Sequence, residues 1–387
     1  MPLLFWIAFA TLVLTILVAI ELFIGNRSVQ AFRDVSPDTA NDPQRVSIIV
    51  AARNEQRNIR DAITSLLNLT YPNYELIVVD DRSEDDTGKI LEELATETSR
   101  LKVIHIEDLP PGWLGKNHAL WVGSQNASGE LLLFTDADIF MESTVLSRAV
   151  NFMDENRLDH LAATPSMSMP TTFLGMFGAA FIVIFSLFAR PWKARDPKSR
   201  FHIGIGAFNM VKTEVYRKVG GHETIRLRPD DDIKLGKIIK RAGFRQDAAY
   251  APEFLVVEWY TSIGDVIRGL EKNAFSGADY NIPLVLAGVL FHTICSVWPF
   301  VAIFILSGWT QLIYLAIVLL ILLTVADSAR FHHSRSWYAI GYPLTVTLFV
   351  YILLRTMVLN IFQGGIRWRG TFYPLKELKS NRIKGSY

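Results

Sequence analysis

Hydrophobic positions along the chain fall into three regimes. Residues 2–20 carry no charge, and Glu21 and then Asn26-Arg27 follow them. Such a run suffices to cross a bilayer, which takes roughly 20 apolar residues. No basic residue precedes it and no clear small-x-small site follows it, so an uncleaved anchor is expected in place of a removed signal peptide. Arg27 and Arg33 would then hold the next domain on the cytoplasmic side. Residues 28–45, with Pro37 and Pro43 among Asp, Asn and Ser, read as a linker.

The second regime begins at Arg45. Residues 46–51, 74–79, 101–106 and 131–135 are strand-like runs, and helical patterns up to about Leu67 and over 85–98 lie between them. Alternation at this spacing predicts βαβ units and a mainly parallel α/β sheet. Leu131 to Phe134, apolar without interruption, predict a strand buried on both faces. In open sheets of this kind the ligand sits beyond the carboxyl ends of the strands. Those ends carry Ala52-Arg53-Asn54-Glu55, Asp80-Asp81 and Asp136-Ala137-Asp138, so the polar clusters are expected to converge on one crevice.

The third regime is apolar again. Residues 161–189 are uncharged, and 173–189 are long enough to span a membrane on hydropathy alone. A single crossing there would put the two halves of one catalytic domain on opposite sides. The stretch is therefore expected to lie in the interface, or to form a re-entrant hairpin, with Arg190, Trp192, Lys193 and Arg195 among headgroups. A buried core helix is the alternative. Residues 283–326 are uncharged and broken at Ser307-Gly308-Trp309-Thr310-Gln311, which predicts a transmembrane hairpin. Residues 337–354 are apolar with Pro343 inside, and a basic tail follows. An odd number of crossings would send that tail outside, against the positive-inside tendency, unless the last segment turns back near Gly341-Tyr342-Pro343.

Composition adds bounds. Of 387 residues half are hydrophobic and 20% charged, which is too apolar for an average soluble enzyme and too charged for a pure transporter. A net charge of +1 gives no bias toward nucleic acid. Cys295 is the single cysteine, so intrachain disulfides and cysteine metal sites are excluded.

Some residues carry chemistry. Asp136 and Asp138 at the end of a buried strand suit a hard divalent cation, Mg²⁺ or Mn²⁺, which keeps positions open for phosphate oxygens. The Gly112-Trp113-Leu114-Gly115-Lys116-Asn117 stretch lacks P-loop spacing. Lys116 still suits a diphosphate through its compact charge; a solvated lysine at a helix start is the plain alternative. Asp230, Asp231 and Asp232 are adjacent and repel one another, which raises at least one pKa. A solvated acidic helix start would explain them equally well. Gly204-Ile205-Gly206 and Val219-Gly220-Gly221-His222 precede them.

Val46-Ser47-Ile48-Ile49-Val50-Ala51-Ala52-Arg53-Asn54-Glu55, then Val78-Val79-Asp80-Asp81-Arg82-Ser83, then Thr135-Asp136-Ala137-Asp138 resemble the nucleotide-sugar half of family 2 glycosyltransferases with the GT-A fold. The resemblance covers about residues 45–280. It implies that Ala52, Arg53, Glu55 and one of Asp80 or Asp81 bind the nucleoside, and that Asp136 and Asp138 face ribose, diphosphate and cation. The family's acidic pair falls on Asp231 and Asp232, with Leu235 as the apolar landmark, and its second carboxylate, Asp232, is the implied general base. The family's Gln-x-x-Arg-Trp is absent. In its place stands Gly269-Leu270-Glu271-Lys272-Asn273, similar to non-processive enzymes acting on hopanoid, carotenoid or ceramide-type lipids, where Lys272 would touch diphosphate or acceptor. The Pro111-Gly112-Trp113-Leu114-Gly115-Lys116 stretch and Trp368-Arg369-Gly370 resemble the same lipid-directed relatives.

The expectation is an anchor over 1–26, a linker over 27–45, a GT-A catalytic domain over 46–280, a transmembrane region over 281–366 and a tail over 367–387. It describes a multi-pass protein of the cell membrane with a cytoplasmic catalytic domain. Its reaction is inverting transfer of a sugar from a nucleotide donor, expected to be UDP-linked, to a lipid hydroxyl. A processive polysaccharide synthase would need a pore and the missing gate motif. An inactive scaffold of the same fold would not need every acidic cluster intact.

Overall fold

The computed structural model describes residues 3–383. Along the chain lie α1 (Leu3–Ser28), β1 (Val46–Ala52), α2 (Ile59–Leu67), β2 (Tyr74–Asp81), α3 (Thr87–Glu97), β3 (Leu101–Ile106), α4 (Gly115–Gln125) and β4 (Leu131–Asp136). Next come β5 (Ile139–Met141), α5 (Val145–Glu155), β6 (His160–Thr164), β7 (Ser166–Ser168), α6 (Thr172–Ala189), β8 (Asn209–Lys212), α7 (Thr213–Lys218), α8 (Gly221–Thr224) and α9 (Asp231–Arg241). The remainder is β9 (Gln246–Tyr250), β10 (Leu255–Glu258), α10 (Ile263–Gly277), α11 (Ile282–His292), α12 (Trp298–Ile305), α13 (Gly308–Phe331), α14 (Tyr342–Phe362), β11 (Gly365–Trp368), β12 (Thr371–Pro374) and α15 (Leu375–Ser380).

Two compact units result. The first holds residues 29–167, 191–258 and the chain from Ser380. Its main sheet has the order β3-β2-β1-β4-β8-β6-β9. β1 is parallel to β2 and β4, while β8 runs antiparallel to β4 and β6. The uninterrupted apolar runs follow from burial on both faces. Leu131 and Leu133 join Ile48, Val50, Leu76 and Val78 in one apolar cluster. Leu132 and Phe134 join Ile49, Ile77 and Val79 in a separate one. Each such side chain, fully buried, contributes about 1.5–3 kcal/mol. The chain departs from β1 to β2 on one side and has β4 on the other, so the strand order reverses between β1 and β4. That reversal is where doubly wound sheets open a crevice. Register sets its lips level: Ala51 lies opposite Asp136 and Ala52 opposite Asp80.

The second unit holds residues up to 28, 168–190 and 259–379. Among the described residues, five helical stretches are long and apolar enough to cross a membrane: Leu3–Ser28, Thr172–Lys193, Ile282–Ile305, Gly308–Phe331 and Ser336–Phe362. Arg27 donates to both Asp327 oxygens at 2.7 and 2.9 Å, pairing α1 with α13. Arg190 at the end of α6 meets Glu21 of α1 at 3.2 Å. The break expected near Ser307 separates α12 from α13.

Several expectations change at this level. The compact unit breaks off at Glu258 and not at 280, and the chain rejoins it from Ser380. The reason is apolar packing, since Val266 and Leu270 of α10 cluster with Leu174, Phe177 and Ile352. No hairpin forms over 173–189, because α6 is one uninterrupted helix of 18 residues. The strand after it, β8, is hydrogen-bonded to β4 before it. A single crossing by α6 would therefore tear β8 away from its neighbour in the sheet. Pro343 sits in the first turn of α14, where its missing N–H costs nothing, and that helix runs unbroken to Phe362. The tail from 367 is folded: β11 and β12 pair antiparallel and α15 follows. Its last four residues lie outside the described residues.

Candidate active site

The turn after β1 and the turn after β2 are stitched together by backbone donors. Asn54 adopts a left-handed conformation at φ 55°. Its N–H donates to Ser83 Oγ at 3.0 Å, and its Oδ1 accepts from the Glu84 N–H at 2.8 Å. Glu55 N–H donates to Thr87 Oγ1 at 2.8 Å, and Asp85 accepts from the Gln56 and Thr87 N–H groups. Much of the Asp-Asp-Arg-Ser-Glu-Asp-Asp-Thr motif therefore holds Arg53 and Glu55 in place.

The adjacent acids Asp80 and Asp81, both buried, differ in partners. Asp80 faces His105 Nδ1 at 3.0 Å and accepts from the Ser83 N–H at 3.2 Å. Asp81 takes a bidentate pair of bonds from Arg82 at 2.7 and 3.0 Å, and Arg53 Nη1 lies 3.9 Å away. Asp81 also lies against Gly115, at the start of α4.

Next along α4, Lys116 reaches two carboxylates from distant stretches of the chain. Its Nζ lies 2.7 Å from Asp136 Oδ1 and 3.4 Å from Asp231 Oδ1. Burial alone would lower the Lys116 pKa, but Asp136, Asp231 and Asp232 outweigh it and hold the ammonium well above its ordinary value. Asp232 is fixed by two backbone donors, Gly206 N–H at 2.8 Å to Oδ2 and Ile233 N–H at 2.7 Å to Oδ1. Burial and then Asp231 push the Asp232 carboxyl up to about 7, with Lys116 opposing. Gly206 also returns a carbonyl to the Asp136 N–H at 3.0 Å. A side chain there would be driven into the Asp136 carboxylate, since its Cβ would stand 2.6 Å from Oδ2. Asp138 follows β4 in a turn, and burial, then Asp136 and Glu55, raise its pKa to about 7. Lys116, Asp136, Gly206, His222, Asp231 and Asp232 line one small recess.

Asp136 and Asp138 thus supply two hard oxygen donors whose mutual repulsion a divalent cation would relieve. Among the described residues no group of three or more His, Cys, Asp or Glu side chains is arranged to hold a metal. A cation held there would need its shell completed by other oxygens, such as those of phosphate.

Residues 47–220 match the model of glycosyl transferase family 2. The chain carries a family 2 glycosyltransferase domain. Two relatives are 4,4'-diaponeurosporenoate glycosyltransferases of Staphylococcus aureus, 19% identical over 372 residues (strain USA300) and 21% over 384 (strain bovine RF122). Both alignments cover 94% of this chain and 98% of the relative. The mannosyltransferase PcManGT from Pyrobaculum calidifontis, solved with GDP-Man and Mn²⁺, matches with a TM-score of 0.59 at 20% identity, covering 93% of this chain and 99% of that one. The fold of this glycosyltransferase is therefore GT-A. The family match stops before Asp231 and Asp232, so their place in the site rests on the geometry above.

Of the residues singled out in sequence, Ala52, Arg53, Glu55, Asp81, Lys116, Asp136, Asp138, Asp231 and Asp232 gather at the carboxyl ends of β1, β2 and β4. Asp80 is turned to His105. Lys272 belongs to the unit of apolar helices, where its Nζ lies 4.5 Å from the Trp368 ring centre. Asp230 is bound to Arg228 and Lys234, each at 3.2 Å. Sequence reasoning missed the supports. Asn117 Nδ2 donates to the Ile225 and Arg228 carbonyls at 2.8 and 3.0 Å. Asn381 accepts from the Leu227 N–H and donates to the Thr224 carbonyl, both at 3.1 Å. Both asparagines pin the loop that delivers Asp231. The only signal for Asn117 was that it replaced the Ser or Thr of a P-loop.

Proposed function

We propose that this glycosyltransferase moves a sugar from a nucleotide donor, UDP-linked by our reading, to a hydroxyl of an apolar membrane lipid, inverting the anomeric centre. The observation that carries it is Lys116 held between Asp136 and Asp231, with Asp232 next along the chain. Arg53, Glu55 and Asp81, with the Ala52 backbone, grip the nucleoside. Asp136 and Asp138 would hold Mg²⁺ or Mn²⁺, which supplies charge stabilisation at the departing diphosphate. Lys116 neutralises further charge on the same leaving group. The acceptor oxygen forms a bond to the anomeric carbon as the bond to the β-phosphate oxygen breaks. Its proton passes to Asp232, whose raised pKa suits a base working near neutrality.

An apolar acceptor is supported by the apolar helices and by the S. aureus relatives, which are named for 4,4'-diaponeurosporenoate. The catalytic unit would lie on one side of the membrane, by our reading the cytoplasmic one, with α6 in the interface, because β6 before that helix and β8 after it share one sheet. The test is mass spectrometry of lipid extracts from membranes supplied with UDP- or GDP-hexoses, with and without the protein. A lipid heavier by one hexose is expected, lost on chelation of divalent cations. A polymer ladder, or free sugar alone, would count against this reading.

A further inference from the structure

We infer that Tyr216 and His222 are positioning residues that fix Asp231 and, through it, the aim of Lys116. The inference rests on the proposed role of Lys116 and Asp232 in transfer. It also accounts for the Gly-Gly-His motif, which that role leaves unused.

Gly220 and Gly221 both have positive φ, 78° and 47°, and a Cβ on Gly221 would stand 2.2 Å from the Tyr216 ring. Only glycine lets the backbone pass over the tyrosine here. The passage brings two groups of His222 to one hydroxyl. The His222 N–H donates to Tyr216 Oη at 3.1 Å, and His222 Nδ1 lies 2.9 Å from the same oxygen. Phe134, two residues before Asp136, closes the ring from a third direction, edge-on at 4.7 Å. His222 and Tyr216 are both buried, so neither ring has solvent as an alternative partner.

The remaining nitrogen decides the outcome. His222 Nε2 points at Asp231 Oδ2, 4.0 Å away, while Asp231 Oδ1 faces Lys116. A bare nitrogen lone pair facing a carboxylate is repulsive. The favoured tautomer therefore accepts a hydrogen bond from the Tyr216 hydroxyl at Nδ1 and turns the Nε2 proton toward Asp231. The chain Tyr216–His222–Asp231–Lys116 then runs from core to recess. Removing the ring nitrogens takes one facing N–H away from Asp231 and loosens the carboxylate that meets Lys116.

The test compares full-length enzyme in membranes carrying His222→Leu, His222→Gln, Tyr216→Phe, the Tyr216→Phe/His222→Leu double variant, or Asp232→Asn. His222→Leu is expected to lower kcat at least ten-fold with acceptor KM within two-fold. His222→Gln, which keeps an N–H donor near the Nε2 position, is expected to recover most of that loss. Tyr216→Phe should lower kcat several-fold, and the double variant should be no worse than His222→Leu, because the two act in one chain. Parental kcat in His222→Leu, equal losses in the Leu and Gln variants, or additive losses in the double variant would overturn the inference. If His222→Leu fails to fold, Tyr216→Phe decides alone: parental kcat overturns it. Full transfer by Asp232→Asn would instead overturn the reading beneath it.

Discussion

The two acidic clusters at the mouth of the sheet look alike in sequence and are balanced differently. Asp80 and Asp81 are met by His105, Arg82 and Arg53. Asp136, Asp138, Asp231 and Asp232 instead share the charge of Lys116. A neutralised cluster is a rigid clamp, suited to holding a nucleoside in one pose. An under-neutralised cluster attracts a cation and lifts the proton affinity of its carboxyls, which the transfer step needs. Each cluster also has a carboxylate given to the scaffold: Asp80 through Ser83, and, next to Asp231, Asp230 through the buried Arg228 and Lys234.

This contrast can be broken by substitution. The largest effect is expected from Asp136→Asn, which removes a proposed cation ligand and the nearest anchor of Lys116; transfer should fall by about three orders of magnitude. Lys116→Gln should lower kcat by roughly a hundred-fold while Arg82→Gln, in the balanced cluster, weakens donor binding and leaves kcat nearly unchanged. Steady-state kinetics with varied donor separates the two. Asp230→Asn should act on stability, costing about 3–5 kcal/mol because two buried cations each lose a carboxylate partner; thermal melts read it. The pH profile of kcat should rise through about pH 7, since Asp232, raised by burial and Asp231, must lose its proton to act as base. Asp231→Asn should move that limb to lower pH. The smallest effect is expected from Asn381→Ala, about 1 kcal/mol from lost hydrogen bonds to the 224–227 loop.

What could be read from sequence was the material with local signatures. Continuous apolar runs gave β1, β2 and β4, because both faces of these strands are covered. The polar residues at and just after their ends put Arg53, Glu55, Asp81 and Asp136 on one side of the sheet, because carboxyl ends of parallel strands share that side. Pairings between remote polar groups left no such trace. Nothing near Asn381 signals that it braces a loop more than 150 positions away, and nothing in Asp80-Asp81 says which of them turns to His105. The antiparallel β8 and the end of the catalytic unit at Glu258 likewise depend on partners remote in sequence. His222 had a usable signal: two glycines in succession before a histidine imply a backbone forced past something bulky.

The central claim is that Asp232 takes the acceptor's proton in a recess that binds the donor without it. Donor affinity and transfer rate measured on the same Asp232→Asn preparation test it most directly. Affinity within two-fold of the parent, with transfer reduced by about 10³ or more, is the predicted result. Transfer at the parental rate would contradict the account.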